Sequence, residues 1–285
     1  MPAAPLSRRA FLRASAGAVV GAAAAAATAS AGGALVPARK QITPRVTSSD
    51  LHAAPGLQRV AFVTYRGARP VSKGPARLLL APPGSDRFTA YDAERYTNGL
   101  PAGRGIYVTS AALPTAGIWT ALAEVQGERI RFPLQVKPAA EAPAIGAVAP
   151  AGPSPTTTAT MGVDPICTRR PKCPLHDVSL SDVIGKQPVA VMFATPALCQ
   201  TQYCGPVLDE LLDVMGPYQQ RGVQMVHVEI YESTRGATVA PTVEAWNLPS
   251  EPWLFTIDAN GVIRDRLDGA FATDEVRAAL DRLAA

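Results

Sequence analysis

The stretch VAVMFATPALCQTQYCGPVL, residues 189–208, sets the reading of the whole chain. Its continuous apolar run from Val189 to Ala194 predicts a strand covered on both faces, because a half-exposed strand would alternate apolar with polar residues. A short loop follows, and a helix opens at Gly205-Pro206. Cys199 and Cys204, two of the four cysteines, therefore fall at a strand-to-helix junction. A helix N-terminus carries unpaired N–H groups and roughly half a positive charge, which stabilises a thiolate over a thiol. Redox chemistry is the first expectation.

Outward from this stretch the pattern is that of an α/β domain. Asp177 to Ile184 reads as a short strand and a helical turn, and Gly185-Lys186-Gln187-Pro188 leads into the apolar strand. Val207 to Gln220 has helical spacing, with Leu208, Leu211, Leu212 and Met215 on one face, and Gly222 ends it. Val223 to Tyr231 is the next strand, and Ser233 to Leu248 is helical or irregular. A strand through Trp253-Leu254-Phe255-Thr256-Ile257 follows Pro252. Asp258-Ala259-Asn260-Gly261 forms a hairpin turn, Val262 to Leu267 returns, and Thr273 to Leu283 is a capped final helix.

This order, with Cys204-Gly205-Pro206 at the helix start, resembles the thioredoxin superfamily over about 120 residues. Val207 stands where that family carries its second cysteine, and Cys199 lies five residues upstream of Cys204 instead. The resemblance implies thiol-disulfide exchange in which Cys204 attacks a partner disulfide and Cys199 resolves the mixed disulfide. It also implies that Pro252 is the proline that precedes the third core strand in cis form, facing the thiol and shaping the edge where a peptide docks. The partners implied are protein thiols or disulfides, and no cofactor is implied. Residues Ser179 to Val189 are similar to the peroxiredoxin and secreted thiol-reductase branch, although Thr195-Pro196 does not reproduce the peroxiredoxin order and spacing.

The beginning of the chain bears on how the cysteines behave. Arg8, Arg9 and Arg13 precede an Ala/Gly-rich run, and Ala29-Ser30-Ala31 offers small residues for cleavage, so residues 1–31 resemble a twin-arginine export signal. Such a segment touches the membrane only in transit. Export to a periplasmic, cell-wall or extracellular setting permits stable disulfides, and four cysteines allow three connectivities. The sequence-local pairing gives Cys199–Cys204 and Cys167–Cys173. Cys199–Cys204 reads as a redox pair or as a structural staple, since closing so small a ring contributes about 2 kcal/mol in either role. Cys167–Cys173 reads as a disulfide that pins the arm before the core, with a second exchanging pair beside Arg169, Arg170 and Lys172 as the alternative. Cys173-Pro174-Leu175-His176 invites a metal reading. A likeness to Sco-type copper chaperones implies copper on Cys199, Cys204 and His227, whereas His227 on its apolar strand also reads as a buried, hydrogen-bonded histidine. The non-enzymatic alternative is a secreted binding or scaffold module in which all four cysteines are structural.

Composition supports two domains. The 285 residues are 47% hydrophobic and 18% charged, and the formal net charge is +4. Without the leader's three arginines, 24 Lys and Arg face 23 Asp and Glu, which gives no basis for nucleic-acid binding. There is no glycine-rich phosphate loop, no paired-histidine zinc motif and no serine nucleophile elbow. Residues 32–50 read as a flexible lead-in. Residues 51–138 hold short β-branched and aromatic runs between Gly and Pro turns, at Gln58–Tyr65, Ala76–Ala81, Gly105–Ala112, Ile118–Val125 and Arg129–Val136. They predict an all-β, immunoglobulin-like sandwich with Tyr107 and Trp119 in its core and His52 and Tyr91 at its surface. Residues 139–160 are rich in Ala, Pro and Thr with Glu141 the only charge, and predict a semi-extended linker that holds the sandwich apart from a thioredoxin-like domain at 161–285.

Overall fold

The computed structural model describes residues 41–198, 204–236 and 238–285, with Cys204, Gly205 and Pro206 described by backbone alone. The leader at 1–31 and Cys199 lie outside the described residues. No helix among those described is long and apolar enough to cross a membrane.

Eight strands form the N-terminal part: β1 (Ile42–Val46), β2 (Leu57–Arg66), β3 (Arg69–Pro70), β4 (Ala76–Ala81), β5 (Thr89–Tyr96), β6 (Ile106–Ala112), β7 (Gly117–Val125) and β8 (Glu128–Val136). All pairings are antiparallel, in the order β1-β2-β6-β5-β4-β7-β8, with β3 on β2. The first half of β5 pairs with β4 and its last three residues pair with β6. One continuous sheet is thus folded at β5 into two facing wings. Period-two alternation fills the space between them: Trp119, Ala121, Ala123 and Val125 of β7 point inward with Leu78 and Leu80, opposite Val60, Phe62 and Tyr107. The free edges approach each other where the Ile42 amide donates to Glu128 and Arg66 pairs with the same carboxylate at 2.6 Å. Three strands escape the sequence pattern. In β5, TAYDAERY buries only Ala93, so it shows no apolar alternation.

The C-terminal part contains α1 (Leu180–Val183), β9 (Val189–Phe193), α2 (Cys204–Val214), α3 (Gly216–Gln220), β10 (Gln224–Val228), α4 (Pro241–Ala245), β11 (Trp253–Ile257), β12 (Ile263–Asp268) and α5 (Thr273–Leu283). The sheet order is β10-β9-β11-β12, with β10 parallel to β9 and β11 and β12 each antiparallel to its inner neighbour. This is the βαβ unit followed by ββα that the thioredoxin resemblance implies. The apolar run of β9 has its predicted cause. Val189, Val191 and Phe193 pack with α1, α4 and Trp246 on one face, while Ala190 and Met192 pack with Leu208, Leu211, Val276 and Leu280 of α2 and α5 on the other. The expected short strand before α1 does not form, and the helix over 207–220 is broken into α2 and α3.

The stretch 139–160 does not hold two bodies apart. Ala142 and Ala149 are buried in the C-terminal core. The Gly146 and Ala149 amides donate to the Ile263 and Gly261 carbonyls at 2.8 Å, and Ile263 donates back to Ala147 at 2.9 Å. Small side chains let this backbone lie against β12, covering what would otherwise be an open sheet edge. The lead-in is likewise ordered from Ile42 onward and ends on a buried charge. Asp50 accepts Arg266 at 2.8 Å, Lys137 at 3.2 Å and the amides of Glu141 and Ala142. Nearby, Arg59 from β2 pairs with Glu275 at 2.7 Å and donates to the carbonyls of Asp268 and Ala270. Val63 and Ile106 of the N-terminal sheet pack on Ala270 and Ala272. The two parts therefore share a seam made of paired charges and a small apolar cluster.

Candidate functional site

The thiol segment is set by the sheet. β9 ends at Phe193, a turn follows at 196–198, and Cys204 is the first residue of α2. Val207, Leu208 and Leu211 are fully buried on the sheet, so the apolar face of α2 fixes where its N-terminus lies. Trp253 pairs with Phe193 in register, which puts Pro252 at the same end of the sheet as the start of α2, and the Glu251–Pro252 bond is cis. The Thr195 amide donates to the Glu251 carboxylate at 3.2 Å, and the Thr195 hydroxyl accepts the Ile230 amide, so the residue preceding the proline is tied to the end of β9. The thiol of Cys204 is outside the described atoms, as is all of Cys199.

Beneath this segment the structure assembles a second set. Cys167, Cys173, His176 and His227 converge, with Sγ and ring nitrogen atoms all within 4.8 Å of one another. The two sulfurs are 3.8 Å apart. Cys173 Sγ lies 3.2 Å from His176 Nε2 and 3.4 Å from His227 Nδ1, and those two nitrogens are 3.1 Å apart. All four residues are buried. His227 comes from β10, and its Nε2 lies 2.9 Å from the Ala194 carbonyl, which fixes Nε2 as the protonated nitrogen and leaves Nδ1 a bare lone pair facing the cluster. Leu175 is held by β10, its carbonyl accepting the His227 amide at 2.9 Å, and this places His176.

The surroundings are polar on one side. Glu229 accepts the Thr168 amide at 2.6 Å and its hydroxyl at 3.0 Å. Burial raises this carboxyl's pKa against the opposing pull of His227 and the threonine hydrogen bonds. The Thr168 hydroxyl also accepts the Ala197 amide, linking the arm at 167–173 to the loop that leads to Cys199. Arg169 pairs with Asp209 of α2 at 2.6 Å. Within the cluster, hydrogen bonding from the Cys173 side chain, aided by His176 and the Cys173 amide and against the cost of burial, holds the Cys167 thiol well below its usual range. The hydrogen bond to Cys167, together with burial, pushes Cys173 up.

One expectation is corrected by this arrangement. The Cys167–Cys173 disulfide is absent: both are free thiols, and 3.8 Å is far beyond the roughly 2.05 Å of a bonded pair. Each sulfur is engaged by an imidazole or an amide rather than by its partner alone. Of the copper set Cys199, Cys204 and His227, only the His227 side chain is described, and it places Nδ1 against Cys173 and His176 and Nε2 on the Ala194 carbonyl. His176 had been marked only by its spacing, Cys173-x-x-His176. That spacing plus a histidine at the buried centre of a neighbouring strand was the available signal.

Half of the chain aligns with solved thioredoxin-like structures. One is titled a putative thiol:disulfide interchange protein DsbE from Chlorobium tepidum, at 19% identity, covering 50% of this chain and 99% of that one, with a TM-score of 0.37. Another, a thiol:disulfide interchange protein of the thioredoxin family from Chlorobium tepidum TLS, is 16% identical over 50% of this chain and 100% of that one, with a TM-score of 0.35. A third, described as a thioredoxin-like superfamily protein, gives 14% identity, 48% and 97% coverage, and a TM-score of 0.28. No protein-family model and no curated protein matches the chain.

Proposed function

We propose that the protein is an exported thiol-disulfide oxidoreductase that works through Cys199 and Cys204 on protein thiols or disulfides outside the cytoplasm. The observation that carries this reading is the position of Cys204 as the first residue of an eleven-residue helix whose N-terminus shares one end of the sheet with Pro252. Unpaired amides there favour the thiolate. In the reducing direction the Cys204 thiolate attacks a partner disulfide, forming a mixed disulfide and expelling one partner thiolate. The Cys199 thiolate then attacks Cys204 sulfur and expels the second, so two electrons pass to the partner and a Cys199–Cys204 disulfide remains. Pro252 and the adjoining edge would receive the partner's backbone. The all-β part, read as an immunoglobulin-like module, serves as a fixed platform, and the leader at 1–31 directs export.

Insulin reduction by wild type, Cys204→Ser and Cys199→Ser tests the assignment. Wild type is expected to turn over, Cys204→Ser to fall to background, and Cys199→Ser to accumulate a mixed disulfide visible by mass spectrometry. Equal background rates for all three, or a Cys199–Cys204 potential below about −300 mV, would instead mark an inert staple in a scaffold protein.

A further inference from the structure

The geometry points to a closed, tetrahedral zinc site formed by Cys167, Cys173, His176 and His227, separate from the Cys199/Cys204 pair. The first argument is metric. Zinc bonds of about 2.3 Å to sulfur and 2.0–2.1 Å to nitrogen, arranged tetrahedrally, require edges of about 3.8 Å between sulfurs, about 3.6 Å between sulfur and nitrogen, and about 3.4 Å between nitrogens. The observed separations are 3.8 Å for the sulfurs, 3.2 and 3.4 Å from Cys173 Sγ to the two imidazoles, and 3.1 Å between nitrogens. Cys173 Sγ and the two imidazole nitrogens thus sit slightly inside these edges, while Cys167 Sγ stands at the sulfur–sulfur edge and within 4.8 Å of both nitrogens, so a small closure of that side chain completes one coordination polyhedron.

The second argument is chemical. His227 Nδ1 carries a lone pair, because Nε2 is held to the Ala194 carbonyl, and it faces His176 Nε2 and the Cys173 sulfur in a buried site. Converging lone pairs in a buried site are unfavourable until a cation lies between them. The backbone carbonyl on the far nitrogen is the outer contact that orients a ligating histidine, and the Cys173 amide directed at Cys167 Sγ at 3.4 Å stabilises a thiolate ligand. The third argument is charge. Two thiolates and two neutral imidazoles balance one divalent ion, giving a neutral complex suited to residues that are 0%, 7%, 3% and 0% exposed. A monovalent copper ion would leave a net negative charge there. Binding is proton-balanced: zinc replaces the two thiol protons, which pass to solvent. With four protein ligands there is no open position, so the ion clasps the 167–176 arm under α2 and takes no part in exchange.

Elemental analysis of the full chain, purified in reduced form without chelator, tests this. The expected result is one zinc per chain, replaceable by cobalt(II) to give the strong visible absorption of a tetrahedral thiolate site. Cys173→Ser and His176→Ala should lose at least nine-tenths of the metal, while Cys199→Ser/Cys204→Ser keeps all of it. Should the ligand variants misfold, X-ray absorption on the wild type still decides, expecting two sulfur and two nitrogen neighbours. Metal-free wild type, a mapped Cys167–Cys173 disulfide, copper as the sole bound ion, or metal lost in the Cys199/Cys204 double variant would each overturn the assignment. Failure of insulin reduction with zinc retained would count against the oxidoreductase reading alone.

Discussion

Two buried polar regions of this molecule are built on opposite principles. At the seam between the two parts, the buried carboxylates Asp50 and Glu275 meet cations: Asp50 has Arg266 and Lys137, and Glu275 has Arg59. At the thiol and imidazole cluster, Cys167, Cys173, His176 and His227 gather electron-pair donors, and the one neighbouring arginine, Arg169, is engaged by Asp209. These two carboxylates are charge-paired within the protein. On the zinc reading the cluster uses those electron pairs on a cation, and the contrast teaches that burial by itself does not identify a site, whereas the kind of polar group that is buried does.

The sharpest way to break the comparison is at Asp50. Its side chain is 0% exposed and satisfies two cations and two backbone amides. Asp50→Ala strands Arg266 and Lys137 without a counter-charge, and the expected loss is about 3–5 kcal/mol in denaturant unfolding. A loss below about 1 kcal/mol would mean that the charges at the seam are incidental to its stability. Arg59→Met ranks next. It keeps most of the apolar stem but leaves Glu275, and the carbonyls of Asp268 and Ala270, without their donor, for about 2–3 kcal/mol. Because Arg59 and Asp50 have no partner in common, the double variant should be close to additive.

How much of this was legible follows from what each element hides. The strands β9 and β11 and the helix α5 were read within a residue or two, since strands covered on both faces must be apolar throughout and α5 has a clean amphipathic stripe. The strand β5 was missed because seven of its eight residues, TAYDAERY, remain at least partly exposed. The run at 139–160 looked like a spacer because alanine and proline carry no periodicity, yet their smallness is what allows the backbone to hydrogen-bond along β12. Cys199, Cys204 and Pro252 are read from a local motif, of which the structure describes Pro252 and the backbone of Cys204. The cluster was half-found: Cys167, Cys173 and His176 are close in sequence, but His227 is fifty-one residues past His176, and only the parallel pairing of β10 with β9 brings it in.

Glu210 tests whether the seam is as well paired as Asp50 and Arg59 imply. It lies in α2 beside Gly99, a turn residue with a positive φ of 78° at which any side chain would run into Thr273 and Glu210. Both carboxylate oxygens are buried and have no hydrogen-bond partner among the described residues. Burial, reinforced by Glu275, Asp209 and Asp213, pushes the carboxyl up to about 8. A folded-state value above the unfolded one means that the native protein holds a proton the unfolded chain has released. The stabilising share of that proton is therefore intact below about pH 4.5 and is lost as pH rises toward 8. Glu210→Gln removes this titration. Its expected effect is nil near pH 4 and a gain on the order of 1–2 kcal/mol at pH 8 and above, the full shift being discounted for relaxation around the charge. Unfolding curves for both proteins across pH 4 to 9 measure the difference directly. A constant offset would assign Glu210 to packing. A gap that opens with pH would show that the seam loosens under alkaline conditions through the one carboxyl that, unlike Asp50 and Glu275, lacks a cation.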